Sequence, residues 1–489
     1  MSLKISMKTL TAILVIILGI IPSRLRSQNI VLTEKCIPCE KLAELKLPDV
    51  KITEAVTVTT GSSYCRVLGV IGKEINFEIL LPDDWNGIYV MGGGGGFVGT
   101  VQNAARYSVE KGFATSGTDT GHDGKKFPGA GWALNDMERQ LNFGHLAVHR
   151  TAVVSKSIIA SYYGEYPKYS YFMGCSRGGG QAMMEAQRYP EDFDGIVAAA
   201  PAFNWPAIAA EFIQNTQAAF PGKLTEPLFF PQHIRILQDA VLKQCDQTDG
   251  VRDSIINDPS DCKFNFEALP KCRGNVPGEN CFTENQIAAL KKIYDGIDLG
   301  NGISYPGFPF GGESEPGSWT SWITGNGAGK LNGGYPSSHA YFGIEVFKYL
   351  ILQDPDWDYT KYDFTGYKKE MNYASAYLDA TSTDYSAFKN RKGKLIFWHG
   401  WNDPALSAYA TIDHYNAVKE KDPGINDYMR LFLLPGVLHC GGGEGPSEAD
   451  WLTVIRDWVE KDIAPEKILV KKSIKGKEVM SRPVFPYSY

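Results

Sequence analysis

The turn Gly174-Cys175-Ser176-Arg177-Gly178 constrains this chain more than any other stretch of it. An apolar, aromatic run at 169–173 precedes it and reads as a buried strand, and a helical rhythm follows at 179–189. A Gly-x-Ser-x-Gly turn between a strand and a helix lifts the serine hydroxyl above the end of a sheet. The glycines permit the tight backbone path, and the N-terminus of the following helix favours a developing negative charge. Such a turn requires a sheet whose strands alternate with helices.

That alternation surrounds the turn. Short β-branched runs between 56 and 81, broken at 61–63 and at Gly72, read as antiparallel strands opening a sheet. Residues 88–91 form a buried strand that runs straight into five glycines, 92–96. Strands at 113–116 and 195–200 and a helix at 143–163 continue the pattern. After Pro201 the rhythm breaks: from about 205 to 390 the chain is rich in aromatics, Gly and Pro and shows no βαβ alternation. Strands resume at 394–398 and 430–434, and an amphipathic helix at 450–461 closes the chain. The expected architecture is an α/β-hydrolase fold with a mostly parallel sheet, its catalytic body at 28–204 and 391–489 and a lid domain inserted at 205–390.

A serine hydroxyl is a weak nucleophile near neutral pH and needs a base, which in turn needs an orienting acid. Asp403 lies just past the strand 394–398, and His439 just past the strand 430–434. Ser, then Asp, then His is the chain order of α/β hydrolases. Asp413 and Asp119 are the alternatives for the acid, His399 and His414 for the base. The oxyanion hole should combine the amide of Arg177 with one from the glycines 92–96, Gly95 being the expected one. A phosphate-cradling loop would need Gly-Lys-Ser/Thr next, and Phe97-Val98-Gly99-Thr100 supplies none.

Lys4 and Lys8, an apolar run at 10–21 too short to span a bilayer, and a polar stretch at 23–29 have the layout of a secretory signal peptide, cleaved near Ser27. The expected location is therefore secreted or periplasmic. In an exported chain nine cysteines argue for disulfides. Spacing suggests Cys245 with Cys262, Cys272 with Cys281 and Cys39 with Cys65, which leaves Cys440 for Cys175 and Cys36 over. A Cys175–Cys440 bond would clamp Ser176 and His439 on neighbouring loops. The net charge of −6, without a basic stripe, excludes nucleic acid and an anionic membrane surface as natural partners. In the stretch 245–255, Asp246, Asp249 and Asp253 crowd hard oxygen ligands around Gly250, which suits a structural calcium ion.

With these residues placed, the chain resembles the tannase and feruloyl esterase family, whose hallmark is a Cys-Ser, Asp, His-Cys constellation. The likeness runs through Cys39-Glu40-Lys41-Leu42, Cys65-Arg66-Val67, residues 92–99, Thr118-Asp119-Thr120-Gly121-His122, Gly174-Cys175-Ser176, Pro201-Ala202-Phe203-Asn204-Trp205, His399-Gly400-Trp401-Asn402-Asp403-Pro404 and Pro435-Gly436-Val437-Leu438-His439-Cys440. The resemblance implies a lid over the site and the four cysteine pairs above. It implies calcium held by the Asp246, Asp249 and Asp253 side chains with the Val251 and Ile255 carbonyls. It implies a secreted serine carboxylesterase acting on hydroxycinnamoyl or galloyl esters, free or on plant polysaccharide, or on a terephthalate monoester as the family's mono(2-hydroxyethyl) terephthalate hydrolase does. A serine peptidase or an inactive glycan-binding module are more distant readings. Leu406, Trp319, Trp322 and Tyr341 are candidates to contact substrate.

Three departures stand out. The family usually places an arginine three or four residues after the nucleophile, where this chain has Gly180 and Gln181, a change expected to loosen the packing beneath the serine. Its C-terminal cysteine is replaced near Phe485, and Ser254 stands where glycine is common in the acidic loop.

Overall fold

The computed structural model describes residues 35–300, 302–327 and 332–488, so the expected signal peptide, 1–27, lies outside the described residues. Its strands are β1 (Val50–Val58), β2 (Tyr64–Ile71), β3 (Ile75–Pro82), β4 (Ile88–Gly92), β5 (Ala114–Thr118), β6 (Tyr169–Ser176), β7 (Gly195–Pro201), β8 (Ile297–Asp298), β9 (Ser304–Tyr305), β10 (Lys394–Gly400), β11 (Met429–Leu434), β12 (Ile468–Ile474) and β13 (Lys477–Val484). Nine of them form one sheet in the order β1-β2-β3-β5-β4-β6-β7-β10-β11. The first four in that order pair antiparallel, and from β5 onward every pair is parallel. Burial follows the pairing: β2 alternates buried and half-buried residues, whereas β4 and β7 are buried throughout because helices cover both faces there.

The strand order reverses between β4 and β6. From β4 the sheet continues to β5 on one side, and from β6 it continues through β7, β10 and β11 on the other. Loops leaving the C-terminal ends of two such strands part from each other and open a crevice. Here those loops are the glycine run after β4 and the turn at Ser176 after β6.

Four helices bear on the site: α1 (Met137–Leu141), α2 (Ala147–Tyr163), α3 (Arg177–Arg188) and α4 (Trp205–Ala219). The helix expected at 143–163 is not regular throughout. A π-helical turn, Asn142–Leu146, joins α1 to α2, and its Phe143 and Gly144 carbonyls accept hydrogen bonds from the Arg177 side chain.

The segment between β7 and β10 packs in two ways. Its opening helix joins the main core through Trp205, Ile208 and Phe212, and the stretch after it has a core of its own, with Phe229, Leu237, Leu290, Ile293 and Trp319. Its second part, including Ile344, Phe347, Leu350 and Phe388, joins the main core of the sheet and its helices. The hairpin β12–β13 was not expected from the sequence, where its charged, exposed faces hide a strand pattern. Among the described residues no helix is long and apolar enough to cross a membrane.

Candidate active site

Ser176 ends β6 and immediately precedes α3 with φ +62° and ψ −121°, a region that a residue with a side chain seldom occupies. Backbone strain of this kind persists only where the surroundings enforce it. Gly174 provides the room: a Cβ there would stand 2.5 Å from the backbone of Gly178. The glycine run lies as close on the other side, since a Cβ on Gly93 would approach Gly178 Cα to 2.8 Å. The serine hydroxyl is thus raised where two loops touch at the reversal of the sheet.

Asp403 follows β10 and is 1% exposed. Its Oδ1 accepts the amides of Ala405 at 2.8 Å and Leu406 at 3.0 Å, and its Oδ2 accepts from His439 Nδ1 at 2.8 Å. Burial by itself would push this carboxyl up, but His439 and His399 beside it hold it well below the usual carboxylate range. It is therefore a buried anion aimed at an imidazole. His439 and Ser176 line the same cavity. The Cys175–Cys440 bond, with Cα atoms 5.9 Å apart, joins the residue before the serine to the residue after the histidine.

The alternative acids and bases are engaged elsewhere. Asp119 accepts the amides of Asn76 and Gly121, Asp413 lines a separate groove, and His414 is bonded to the Tyr385 hydroxyl at 3.0 Å. His399 is fully buried and bonded to Asp403 rather than turned to the cavity. The pairs Cys39–Cys65, Cys245–Cys262 and Cys272–Cys281 are all formed, and Cys36 is free and exposed.

In the glycine run the amide expected at the oxyanion hole, that of Gly95, is already engaged. The Gly95 amide donates to Gln102 Oε1 at 2.8 Å, and the glycine that lines the cavity with Ser176 is Gly96. Sequence spacing could not separate neighbours in a run of five, because the choice depends on where Gln102 packs. Arg177, the other expected donor, also lines the cavity. Its side chain is sealed away, 1% exposed, with the guanidinium 4.4 Å from the Phe143 ring centroid and bonded to the two carbonyls of the π-helical turn. Burial without an acidic partner pushes it down to about 9.

This arginine also accounts for the departure at Gly180. A Cβ on Gly180 would lie 2.0 Å from the Ala202 carbonyl oxygen and 3.6 Å from Arg177 Nη1. The guanidinium beneath the nucleophile is supplied from position 177, and α3 packs directly on the exit of β7. Gln181 is 2% exposed and accepts the Gly94 amide at 3.1 Å, which ties the glycine run to α3. The packing is tight where the sequence led us to expect it loose.

The cavity, about 340 Å³ with its open mouth, is walled by Trp205, Ile208 and Phe212 from α4, by Trp322 and Phe342 farther along the segment, and by Ala405 and Leu406. Trp322 meets the His439 ring edge-on at a centroid distance of 5.1 Å. Of the expected contacts, Leu406 and Trp322 belong to this wall; Trp319 and Tyr341 do not. Trp319 is 2% exposed and packs on Tyr294 in the segment's own core, and Tyr341 packs against Phe97 behind the wall. The α4 contribution went unrecognised, although 205, 208 and 212 share one helical face and that spacing was a usable signal.

In the acidic loop the Asp249 and Asp253 carboxylates accept the amides of Val251 at 2.9 Å and Ile255 at 3.1 Å. Arg482 on β13 reaches Asp253 at 3.3 Å. Asp246 Oδ1 is buried without a hydrogen-bond partner, an oxygen that a cation would satisfy. The donor set therefore fits a hard cation in kind. The three carboxylates do not converge: among the described residues the group whose ligand atoms lie within 4.8 Å of one another is His149, Glu185 and Asp192. Ser254 holds φ +64°, a backbone state that glycine adopts at lower cost.

The family model described as tannase and feruloyl esterase matches residues 58–489. Feruloyl esterase B of Aspergillus niger is 30% identical over 414 residues, covering 80% of this chain and 75% of that protein. Mono(2-hydroxyethyl) terephthalate hydrolase of Piscinibacter sakaiensis is 29% identical over 494 residues, covering 87% and 81%. The crystal structure of an esterase from Aspergillus oryzae superimposes with a TM-score of 0.82 at 27% identity, over 92% of this chain and 95% of that one. The chain belongs to the tannase and feruloyl esterase family.

Proposed function

We propose that this member of the tannase and feruloyl esterase family, a carboxylic ester hydrolase, cleaves esters of aromatic acids through an acyl-enzyme on Ser176. The observation that carries the reading is one arrangement: Ser176 and His439 share an aromatic-walled cavity, and His439 is bonded through Nδ1 to the buried Asp403 carboxylate.

Ser176 Oγ attacks the ester carbonyl carbon as His439 Nε2 takes its proton, and the carbonyl π electrons move onto oxygen. Amides at Arg177 and Gly96 receive that oxyanion, helped by the N-terminus of α3. Collapse of the tetrahedral species breaks the bond to the alcohol, which leaves with the proton from His439. Water, deprotonated by the same imidazole, then attacks the acyl-enzyme; its collapse releases the acid and returns the proton to Ser176. Asp403 holds the tautomer that leaves Nε2 free to accept and balances the imidazolium.

The wall favours a flat apolar acyl group. Trp205, Ile208, Phe212, Trp322 and Phe342 present rings and alkyl groups, and among the described residues no carboxylate or side-chain amide lines the cavity to hold the three hydroxyls of a galloyl ring. The Arg177 side chain is 1% exposed beneath the nucleophile, with Nη2 on the Phe143 and Gly144 carbonyls, so among the described residues that line the cavity none presents an exposed guanidinium or ammonium group to a terephthalate carboxylate. Hydroxycinnamoyl esters such as ferulate fit best. The segment 205–390, which supplies most of the wall, serves as the lid. Calcium would have to draw the Asp246, Asp249 and Asp253 carboxylates together; held by them and the Val251 and Ile255 carbonyls, it would brace that segment and supply no chemistry. The N-terminal signal and the disulfides agree with an exported enzyme.

Initial rates on methyl ferulate, methyl gallate, mono(2-hydroxyethyl) terephthalate and 4-nitrophenyl acetate, with Ser176→Ala alongside, test the reading. Methyl ferulate should be turned over fastest of the three aromatic acid esters, and the variant should be inactive on all. Activity confined to the nitrophenyl ester would refute the acyl assignment.

A further inference from the structure

We propose that His399 is a positioning residue for this reaction: its Nε2–H is the second donor to Asp403 Oδ2 and fixes the carboxylate that orients His439. The proposal rests on the reading of Ser176, Asp403 and His439 given above.

His399 stands at the end of β10, four residues before Asp403, and is fully buried. Its Nε2 lies 3.1 Å from Asp403 Oδ2 and 3.0 Å from the Leu406 carbonyl oxygen, and its Nδ1 lies 2.8 Å from Thr411 Oγ1. A carbonyl can only accept, so Nε2 carries the proton and shares it between Leu406 and Asp403, while the Thr411 hydroxyl donates to Nδ1. The ring is held in one tautomer between the strand β10 and the helix Ala408–Lys421 that carries Thr411.

The consequence falls on Asp403. With His399 in place each carboxylate oxygen accepts two hydrogen bonds: Oδ1 from two amides, Oδ2 from two imidazoles. During turnover His439 alternates between neutral and protonated forms. The two amides fix Oδ1, but without His399 the only hold on Oδ2 would be the partner that changes charge; the His399 bond gives Oδ2 a second, constant donor. The same ring grips the Leu406 carbonyl, so the orientation of the acid and the placing of one cavity-wall residue depend on one side chain.

Two other titratable groups face Asp403. His339 is bonded to the Pro404 carbonyl at 3.1 Å and pushed down to about 3 by burial, and the buried Tyr305 is pushed well up, also by burial. Neither changes charge across the working range, so neither contributes to the acid limb of the pH profile.

The test compares His399→Leu, His399→Gln and Thr411→Val with the wild-type enzyme on methyl ferulate, or on 4-nitrophenyl acetate if that is the better substrate. Rates are expressed per site titrated with a fluorophosphonate. Losing one hydrogen bond to a charged group should lower kcat of His399→Leu by about tenfold to a hundredfold, with a smaller rise in KM as Leu406 loses its hold. The charge of Asp403 would then rest more on His439, moving the acid limb of kcat/KM to higher pH. Gln, whose amide N–H can reach the Nε2 position, should recover most of the rate, and Thr411→Val should show a smaller loss in the same direction. A wild-type kcat and an unmoved limb in His399→Leu would overturn the proposal. So would a lower Tm and fewer titratable sites with kcat per site intact, the pattern of a merely structural residue. If His399→Leu does not fold, Thr411→Val decides, and an unmoved kcat and limb there overturn it as well. Activity surviving in Ser176→Ala would refute the site itself, a failure distinct from that of His399.

Discussion

Replacing both Cys175 and Cys440 by alanine should cost this enzyme more activity than its loss of stability explains. The bond closes a loop with a sequence separation of 265, and Cys39–Cys65 closes one of 26. In the chain-entropy account these closures disfavour the unfolded state by about 5.6 and about 3.5 kcal/mol at 25 °C, both upper bounds. The two double variants thus differ by about 2 kcal/mol in stability on that account. They differ far more in what they release. Cys39–Cys65 anchors an N-terminal turn to β2, whereas Cys175–Cys440 adjoins Ser176 on one side and His439 on the other. Cys440 itself holds φ +60°, so its loop is bent tightly where the bond grips it. A displacement near 1 Å between nucleophile and base costs about a hundredfold in rate. We expect kcat/KM of Cys175→Ala/Cys440→Ala to fall by roughly that factor at a temperature well below its own Tm. Cys39→Ala/Cys65→Ala should keep its rate and lose only stability. The assay is kcat/KM for a ferulate ester beside thermal unfolding of each variant. A wild-type kcat/KM in the folded Cys175→Ala/Cys440→Ala variant would show that the clamp does not position the pair.

Three further outcomes follow from the geometry. Asp403→Asn should lower kcat by about ten-thousandfold with little change in KM, because the amide cannot hold His439 in the required tautomer; steady-state kinetics on the same ester measures it. Glu211 on α4 is fully buried, neither of its carboxylate oxygens has a partner, and burial raises its carboxyl well above the ordinary value of 4.5. A raised carboxyl means that the folded state binds more protons than the unfolded one above that value, so its stability contribution is lost as pH rises. Glu211→Gln should therefore raise Tm at pH 8 and flatten its fall between pH 5 and pH 9; a steeper fall than in the wild type would contradict this. Removing calcium with a chelator should lower Tm, with recovery on adding calcium back, and Asp246→Asn should abolish the difference. An unchanged Tm would remove the ion from the acidic loop.

The sequence by itself determined what depends on neighbours along the chain. A glycine two residues to either side of Ser176, between a strand run and a helix run, dictates the raised turn, because backbone sterics act over a few residues. The order Ser176, Asp403, His439, each at the end of a strand, follows from the same short-range patterns, as do the closely spaced cysteine pairs. Tertiary structure decided which of several equivalent residues is used. Gln102 takes the Gly95 amide and leaves Gly96 at the cavity, and nothing within the glycine run foretells that. Trp319 and Trp322 are three residues apart, yet one fills the segment's own core and the other meets His439. Arg177 puts its guanidinium 3.6 Å from where a Cβ on Gly180 would stand and bonds it to the π-helical turn, a contact no neighbour along the chain announces. The sequence leaves His399 open as an alternative base, and only the folding of β10 against the helix behind it shows that imidazole turned onto Asp403. In each case the deciding contact joins elements distant in sequence, and a side chain's role follows from which of its atoms that contact leaves free.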